Sequence, residues 1–165
     1  MRRLKGFTLI ELFVVMALGG LAIVAAINIL NATAVRTNDA RRTADIQNTV
    51  VALAAAAKDR AVLCDAQSAE PCAAGSLLHE CAIYRTSCTG KIEDQVTAQY
   101  LDLAAIKDPL YSQPCRAGSV ENCAYTFLEA QSISEFVLAF TTQSGSATGL
   151  SFGRTHRANQ RGFLY

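Results

Sequence analysis

Residues 5–12 read Lys-Gly-Phe-Thr-Leu-Ile-Glu-Leu, and they open an apolar run that continues to Ile27. Three of the five residues before Gly6 are basic, whereas no residue from Leu12 to Ile27 is charged or strongly polar. Glu11 therefore stands alone at the start of a segment that otherwise has the composition of a membrane span. A charged side chain at the centre of a membrane helix costs roughly 2.5 to 3.5 kcal/mol, and less near its end. The sequence therefore predicts a specific role for this carboxylate.

The apolar segment is long enough to cross a lipid bilayer as a helix. Residues 7–30 would extend about 36 Å at 1.5 Å per residue, and the hydrocarbon core is about 30 Å thick. One interpretation is a secretory signal peptide with a small-residue cleavage site at residues 32–34, which would release a chain that begins near Val35. The run exceeds the usual apolar length of a signal peptide, however, and this interpretation leaves Glu11 without a role.

Residues 5–12 resemble the prepilin processing motif of type IV pilins and of the pseudopilins of type II secretion systems. The motif combines a basic leader, a glycine, a phenylalanine and an acid in the membrane segment at fixed spacing. The resemblance implies that a dedicated peptidase cleaves after Gly6 and then N-methylates Phe7, the new first residue. Residues 39–46 are also similar to the pilin segment beyond the membrane half, so the resemblance covers about the first third of the chain.

The same resemblance implies a partner for the Glu11 carboxylate. A buried carboxylate is tolerated when a group of opposite charge pairs with it. The new amine of Phe7 would lie one helical turn away, and in filaments of this family the acid meets the N-terminal amine of a neighbouring subunit. That contact would set the axial register, because a misplaced subunit would leave two unpaired charges in an apolar core. We expect Glu11→Ala to permit insertion and cleavage but to impair assembly.

Gly19 and Gly20 lie in the middle of the apolar run, and two hypotheses about them remain open. Small residues allow close contact between helices in a membrane. Glycine also weakens a helix by about 1 kcal/mol per residue, which would give flexibility or local unwinding during assembly. Many pilins have a proline about two turns further along, but this chain has Asn28 there and no proline before Pro71. That departure puts a proline-centred break in doubt.

From residue 31 to residue 62 the pattern becomes that of an amphipathic helix. Apolar residues recur at helical spacing and predict one buried face. Its members are Ile46, Val50, Leu53, Ala54, Ala57 and Ala61. Charged residues occupy the other side and predict a solvated face, on which the spacing of Arg41 and Asp45 favours an ion pair. The other charged members of that face are Arg36, Asp39 and Arg42.

All six cysteines follow the apolar segment, and their even number predicts disulfide bonds formed in an oxidising compartment. Six cysteines allow 15 pairings. The spacings favour bonds between neighbours, which are Cys64–Cys72, Cys81–Cys88 and Cys115–Cys123. A zinc site with His79 beside Cys81 is the alternative. It is disfavoured because no pair has the short spacing of a zinc knuckle.

The rest of the chain predicts loops, short helices and a small β-sheet. Residues 63–95 predict a loop region with a short helix around Ser76–Tyr84, and residues 96–106 predict a second short helix. Aromatic and β-branched residues then predict strands at Tyr125–Leu128, Glu135–Thr142, Gly149–Gly153 and Gly162–Tyr165. The alternating side chains of Phe136, Leu138 and Phe140 are expected to face the long helix.

The C-terminal residues 154–161 contain Arg154, Arg157 and Arg161, and no acid follows Glu135. Major pseudopilins often bind calcium in an acidic C-terminal loop, so the absence of carboxylates predicts no metal site. Three arginines would allow contact with DNA or an acidic neighbour, but an ordinary solvated turn is the favoured interpretation of so small a patch. Without the three basic residues before Gly6 the net charge falls from +1 to −2, which gives no general case for nucleic-acid binding.

We therefore predict an α+β fold in which a long N-terminal helix packs on a small antiparallel β-sheet. Residues 1–6 would be the leader, residues 7–30 the membrane and assembly half of the helix, and residues 31–165 a disulfide-stabilised head. No catalytic constellation emerges, so we expect neither an enzyme nor a cofactor.

The resemblance implies a structural subunit of a type IV pilus or pilus-like filament, with a secretion pseudopilin as the alternative. A secreted disulfide-rich binding domain is a third, different hypothesis. The partners implied by the resemblance are other copies, related pilins, the prepilin peptidase and the inner-membrane assembly platform. The precursor would lie in the inner membrane, and the assembled filament would be extracellular or periplasmic.

Overall fold

The computed structural model of the protein describes residues 8–68, 70–88, 94–96, 99–116, 122–144 and 155–164. The chain divides into two units, residues 1–35 and residues 36–165. Helix α1 (Leu9–Lys58) supplies the described structure of the first unit and opens the second. Two antiparallel sheets follow it in the second unit. The predicted α+β class, with a long N-terminal helix and a small antiparallel sheet, is confirmed.

Helix α1 is 50 residues long and contains no proline. It ends where Arg60 takes a left-handed conformation with φ of 58°. The Ala61 N–H then donates to the Ala56 carbonyl (3.0 Å), and the Arg60 N–H donates to the Ala57 carbonyl (3.2 Å). This pair of bonds is the Schellman arrangement, which satisfies the last carbonyls of the helix. Ala56 and Ala61 are both buried, so the same turn directs the chain back into the core.

The second half of α1 buries one face against the rest of the head. Ile46, Val50 and Leu53 are buried there, as the periodicity predicts, and Ala54 and Ala57 are half-buried. The predicted solvated face is wrong at two positions, because Asp39 and Arg42 are completely buried. The reason is that segments distant in sequence fold over that side of the helix and supply polar partners, which the helical period alone does not reveal.

The larger sheet has four antiparallel strands, and strands that follow one another along the chain are neighbours in the sheet. Its strands are β3 (Thr126–Ser132), β4 (Glu135–Thr141), β5 (Thr155–Asn159) and β6 (Gly162–Leu164). Phe136, Leu138 and Phe140 of β4 are buried in the same apolar cluster as Ile46 and Leu53 of α1. The predicted inward face of this strand is therefore confirmed.

In the C-terminal region the structure differs from the sequence-based expectation. Residues 155–159 form β5, so the interpretation of residues 154–161 as a solvated turn is wrong over most of its length. Backbone pairing of Ala158 with Leu138 places this segment in the sheet, although its basic and polar composition is typical of a turn. The predicted strand Gly149–Gly153 lies outside the described residues.

A second, two-stranded sheet was not predicted. It pairs β1 (Val62–Asp65) with β2 (Cys81–Tyr84) in antiparallel register. The expected helix around Ser76–Tyr84 is reduced to a single 3-10 turn at Leu78–Glu80. In the described part of residues 96–106, where a second helix is expected, the structure has a 3-10 turn at Leu103–Ala105. Pairing with β1 outweighs the local helical pattern, because all four residues of β2 are buried.

The disulfide bonds join Cys64 to Cys88 and Cys72 to Cys81, so the predicted pairs Cys64–Cys72 and Cys81–Cys88 are wrong. Successive strand residues point to opposite faces. Cys81 lies with Cys72 on the face of the β1–β2 sheet that joins the main core, whereas Cys64 packs with Cys88 on the other face. Each cysteine is bonded to the one that shares its face. The third bond joins Cys115 to Cys123, the pair that the spacing predicts.

Candidate functional site

Only part of the predicted processing site lies within the described residues. Gly6 and Phe7 lie outside the described residues, and the description begins at Thr8. Leu9 is the first residue of α1, which places Glu11 in the first helical turn. Acidic side chains are favoured there because the helix dipole and the free N–H groups make the N-terminus partly positive.

Thr8 and Glu11 form a reciprocal hydrogen-bonded pair at the start of α1. One oxygen of the Glu11 carboxylate, Oε2, accepts hydrogen bonds from the Thr8 backbone N–H (2.8 Å) and from the Thr8 hydroxyl (2.9 Å). The Glu11 N–H donates in return to the Thr8 hydroxyl oxygen at 3.3 Å. This arrangement is a capping box, and it satisfies two of the helix's otherwise free N–H groups.

The role of Thr8 was missed by the sequence reasoning, although the signal was present. Thr-x-x-Glu at positions 8–11 is the sequence signature of a capping box before an apolar run. Both donors to Glu11 are neutral, so the box orients the carboxylate without cancelling its charge. The arrangement can therefore hold a negative charge at the very start of an apolar helix and offer it to a cation.

The apolar half of α1 presents its side chains outward in the isolated chain. An 18-residue window of this helix has a mean hydropathy of 2.5, which makes it long and apolar enough to cross a membrane. A Cβ atom added at Gly19 or Gly20 would meet nothing within 4 Å, so packing within the chain does not require glycine at either position. Further along, the Asn28 side-chain amide donates to the Val24 carbonyl at 3.0 Å.

A second site, which the sequence reasoning missed, is a buried network of charges in the head. The Arg42 guanidinium donates to both carboxylate oxygens of Asp108, at 2.7 Å and 3.0 Å, in a two-pronged contact. It also donates to Asp39 at 3.1 Å and lies 5.0 Å from the centre of the Tyr111 ring. The side chains of Arg42, Asp39 and Asp108 are all fully buried.

Neutral donors complete this network. The Gln143 N–H donates to Asp39 at 2.8 Å, and Ser144 donates to it through its N–H and its hydroxyl. The Asp108 carboxylate accepts the N–H groups of Leu110 and Tyr111, each at 2.9 Å. One cation and two anions leave a net negative charge in the interior, so these donors are needed to stabilise it.

Charge and burial act on the Arg42 pKa in opposite directions. Burial lowers the pKa of the guanidinium, but its hydrogen bonds to Asp108 and the negative charges of Asp108 and Asp39 outweigh that effect and raise the pKa. The cation is therefore retained at all ordinary pH values. No sequence signal would have identified Asp108 as its partner, because 66 residues separate the two.

Next to this network, Tyr125 contacts Asp45 on the polar side of α1. The Tyr125 hydroxyl donates to the Asp45 carboxylate at 3.0 Å. Burial raises the pKa of Tyr125 strongly, and the negative charge of Asp45 adds to that effect. Burial also raises the pKa of Asp45, against the opposing effect of the phenol hydrogen bond. The predicted pair of Arg41 with Asp45 is confirmed, and a distance of 3.8 Å joins the exposed Arg41 to the half-buried Asp45.

The remaining predicted residues are not brought together into a site. Arg154 lies outside the described residues, Arg157 is exposed on β5, and Arg161 is exposed in the turn that follows. All six cysteines are bonded in disulfides, so the zinc alternative is wrong. In the described part of the chain, no group of three histidine, cysteine or acidic side chains is arranged to hold a metal ion.

Comparison with known protein families finds a match at the start of the chain. The family model for the prokaryotic N-terminal methylation motif matches residues 1–27. Neither the curated proteins nor the solved structures give a match. The matched residues include Glu11, its capping partner Thr8 and most of the apolar segment. The chain carries the prokaryotic N-terminal methylation motif, which is characteristic of type IV pilins and pseudopilins.

Proposed function

We propose that this protein is a structural subunit of a type IV pilus or pilus-like filament. The observation that supports this most directly is the methylation motif over residues 1–27, with Glu11 held at the start of an uninterrupted helix. In this proposal the prepilin peptidase cleaves after Gly6 and methylates Phe7. The inner-membrane assembly platform then moves the helix from the membrane into a filament.

The geometry at Thr8 and Glu11 supports an assembly role rather than a catalytic one. The carboxylate is oriented by neutral donors at the N-terminal end of an apolar helix, where an amine of a neighbouring subunit would neutralise it. A carboxylate with no neighbouring base or nucleophile in the described residues has little capacity for chemistry. The head contains three disulfide bonds, and such bonds are typical of proteins that are exposed outside the cytoplasm.

Mass spectrometry of the mature protein tests the proposal. A chain that begins with N-methylated Phe7 is the expected result, because only the prepilin pathway leaves that residue first. A chain that begins near Val35 would instead indicate an ordinary signal peptide and a secreted binding domain. Cells that lack the gene should lose surface filaments. If they keep their filaments and lose secretion of another protein, the chain is a secretion pseudopilin, which shares the same motif.

A further inference from the structure

The uncharged part of α1 is longer than the hydrocarbon core of a bilayer. No residue from Leu12 to Val35 is charged, and the charged residues that bound this stretch are Glu11 and Arg36. As a helix, residues 12–35 extend about 36 Å, whereas the hydrocarbon core is about 30 Å thick. A stretch centred in the bilayer would therefore pass each boundary of the core by about 3 Å. The headgroup layer adds roughly 5 to 7 Å beyond each boundary, so both charged residues would lie within it.

Two polar side chains inside this stretch are already bonded to the helix itself. The Asn28 side-chain amide donates to the Val24 carbonyl at 3.0 Å, and the Thr33 hydroxyl donates to the Ile29 carbonyl at 2.8 Å. A polar group with a partner in its own helix costs less in hydrocarbon than one without. The third polar residue, Asn31, would lie within about 3 Å of the boundary. The membrane span can therefore extend to the end of the uncharged stretch.

Arg36 is the first cation after this stretch, and its surroundings differ from those of the next two arginines. Arg42 is buried between two carboxylates, and Arg41 forms an ion pair with Asp45 at 3.8 Å. Arg36 is exposed, and the ion pairs among the described residues do not include it. Its guanidinium is therefore available to an anion outside the chain.

The phosphate of a phospholipid matches this guanidinium in position and in charge. A guanidinium is planar and permanently charged, and it can bind two phosphate oxygens through parallel N–H bonds. The long side chain of an arginine at the end of a span also reaches along the helix to the headgroup layer. An uncharged headgroup without phosphate would offer neither the charge nor the pair of oxygens.

We propose that Arg36 binds the phosphate of a phospholipid, in the leaflet next to the head, while the chain is in the membrane. The contact sets the depth of the span, because movement in one direction breaks it and movement in the other draws the guanidinium into hydrocarbon. The proposal rests on the membrane stage of the proposed function and adds a lipid-binding residue to it. At the same depth, Glu11 lies in the opposite headgroup layer, where water can solvate its carboxylate before assembly.

Solid-state NMR measures the contact directly. The full-length chain, labelled with carbon-13 at the arginine Cζ atoms, is placed in vesicles of phosphatidylethanolamine and phosphatidylglycerol. Dipolar dephasing by phosphorus-31 then identifies the guanidinium carbons that lie next to a lipid phosphate. Arg36→Lys keeps the positive charge but removes the labelled carbon, so we expect it to remove one dephased component. Arg41→Lys, the matched control on the same helix, should retain that component.

The other outcomes of this experiment overturn the proposal in distinct ways. Dephasing that Arg36→Lys leaves unchanged would show that Arg36 does not contact phosphate. Loss of the component in Arg41→Lys alone would assign the contact to Arg41. In vesicles of an uncharged glycolipid, which contains no phosphorus, inorganic phosphate added to the buffer should give no dephasing at Arg36. Dephasing there would show a site for free phosphate and not for a lipid.

A second measurement tests the depth of the span. Ala32→Cys places a thiol one turn before Arg36, and the native cysteines are all bonded in disulfides. In spheroplasts this thiol should react slowly with a membrane-impermeant maleimide. Arg36→Gln should raise the rate about fivefold, because one basic residue near an anionic membrane surface contributes about that factor to binding. Arg41→Gln should leave the rate unchanged, and equal rates with and without Arg36→Gln would contradict the proposal.

Failure of this proposal can be distinguished from failure of the proposed function. A chain that stays in the membrane fraction after alkaline carbonate treatment, yet shows no contact at Arg36, would refute the contact alone. A chain that carbonate extracts is not inserted, which would refute the membrane stage of the proposed function as well. Processing before Phe7 is measured separately by mass spectrometry, and it does not depend on the lipid contact.

Discussion

Arg42 and Arg41 are neighbours on α1, yet they have opposite surroundings. The Arg42 side chain is fully buried between Asp39 and Asp108, whereas that of Arg41 is 60% exposed and forms an ion pair with Asp45. A buried charge that loses its partner pays its desolvation cost without compensation. An exposed ion pair is screened by water and contributes little. The difference in burial therefore predicts very different effects of the two substitutions.

We expect Arg42→Ala to lower the free energy of unfolding of the head by about 3 to 5 kcal/mol, because two carboxylates are left buried. Arg41→Ala should cost less than about 1 kcal/mol. Urea unfolding in detergent, followed by near-ultraviolet circular dichroism, measures both. Equal losses for the two variants would show that the buried network does not stabilise the head.

Tyr125 should make the stability of the head depend on pH in alkaline solution. Its pKa is raised in the folded state, first by burial and then by the Asp45 charge, so the fold favours the neutral phenol. The corresponding stability is fully present below the ordinary tyrosine pKa, near 10, and is lost as pH rises from there towards the folded pKa.

We therefore expect the wild-type head to lose up to about 1.4 kcal/mol per pH unit above pH 10 from this group alone. Tyr125→Phe should be about 1 kcal/mol less stable at neutral pH, because the hydrogen bond to Asp45 is lost. Its stability should then fall less steeply above pH 10. Unfolding curves at a series of pH values measure this slope, and parallel curves for the two proteins would refute the assignment.

At the scale of elements, the β1–β2 sheet determines which cysteines pair. Peptide mapping without reduction should recover a fragment that links Cys64 to Cys88 and another that links Cys72 to Cys81. Recovery of Cys64 linked to Cys72 would contradict the assignment of these residues to opposite faces of the sheet.

The two bonds should also differ in how much they stabilise the head. They close loops with sequence separations of 24 and 9 residues. Loss of chain entropy predicts that removal of the longer one costs about 3.5 kcal/mol and removal of the shorter one about 2.6 kcal/mol. Two variants, each with both cysteines of one bond replaced by serine, measure this difference when they are unfolded in urea in the same way as Arg42→Ala.

The glycines of α1 give a second prediction at this scale. Gly19→Ala with Gly20→Ala should stabilise the helix by about 1 kcal/mol per residue, and the added Cβ atoms meet nothing within 4 Å in the chain. If assembly requires the helix to unwind there, the double variant should reach the membrane in normal amount but form fewer filaments. Ala17→Gly and Ala22→Gly together serve as the control for substitution nearby. A normal filament yield from the double alanine variant would exclude this role.

At the scale of the whole molecule, the chain joins an exposed apolar helix to a head with its own core. A membrane or a bundle of other helices would remove the apolar half from water, and Glu11 stands where that half begins. Two roles for its carboxylate can be separated, because it both caps the helix through Thr8 and carries a charge.

We expect Glu11→Gln to fail in filament assembly as Glu11→Ala does, although its amide oxygen can still accept hydrogen bonds from Thr8. Loss of the charge leaves the neighbouring amine buried and unpaired, which would reduce assembly by about 100-fold or more. Both variants should be inserted and cleaved normally. Filament yield relative to processed protein in the membrane measures the effect. Normal assembly by Glu11→Gln would assign Glu11 to helix capping alone.

The sequence by itself determined the start of the molecule and its general plan. The methylation motif, the long helix, its apolar face at Ile46, Val50 and Leu53, and the inward side chains of β4 follow from spacing and composition. These features depend on neighbours along one element, and the helical and strand periods record such neighbours in the sequence. The capping box of Thr8 and Glu11 was readable in the same way, since its partners are three residues apart.

Only the tertiary structure decided the features that depend on residues far apart. Three such features arise where distant segments meet. They are the burial of Arg42 between Asp39 and Asp108, the strand formed by residues 155–159, and the pairing of Cys64 with Cys88 and of Cys72 with Cys81. A charged residue has the same helical position whether water or a distant carboxylate faces it. Its surroundings are set by the packing of the whole head, because burial is a property of the fold and not of the local pattern.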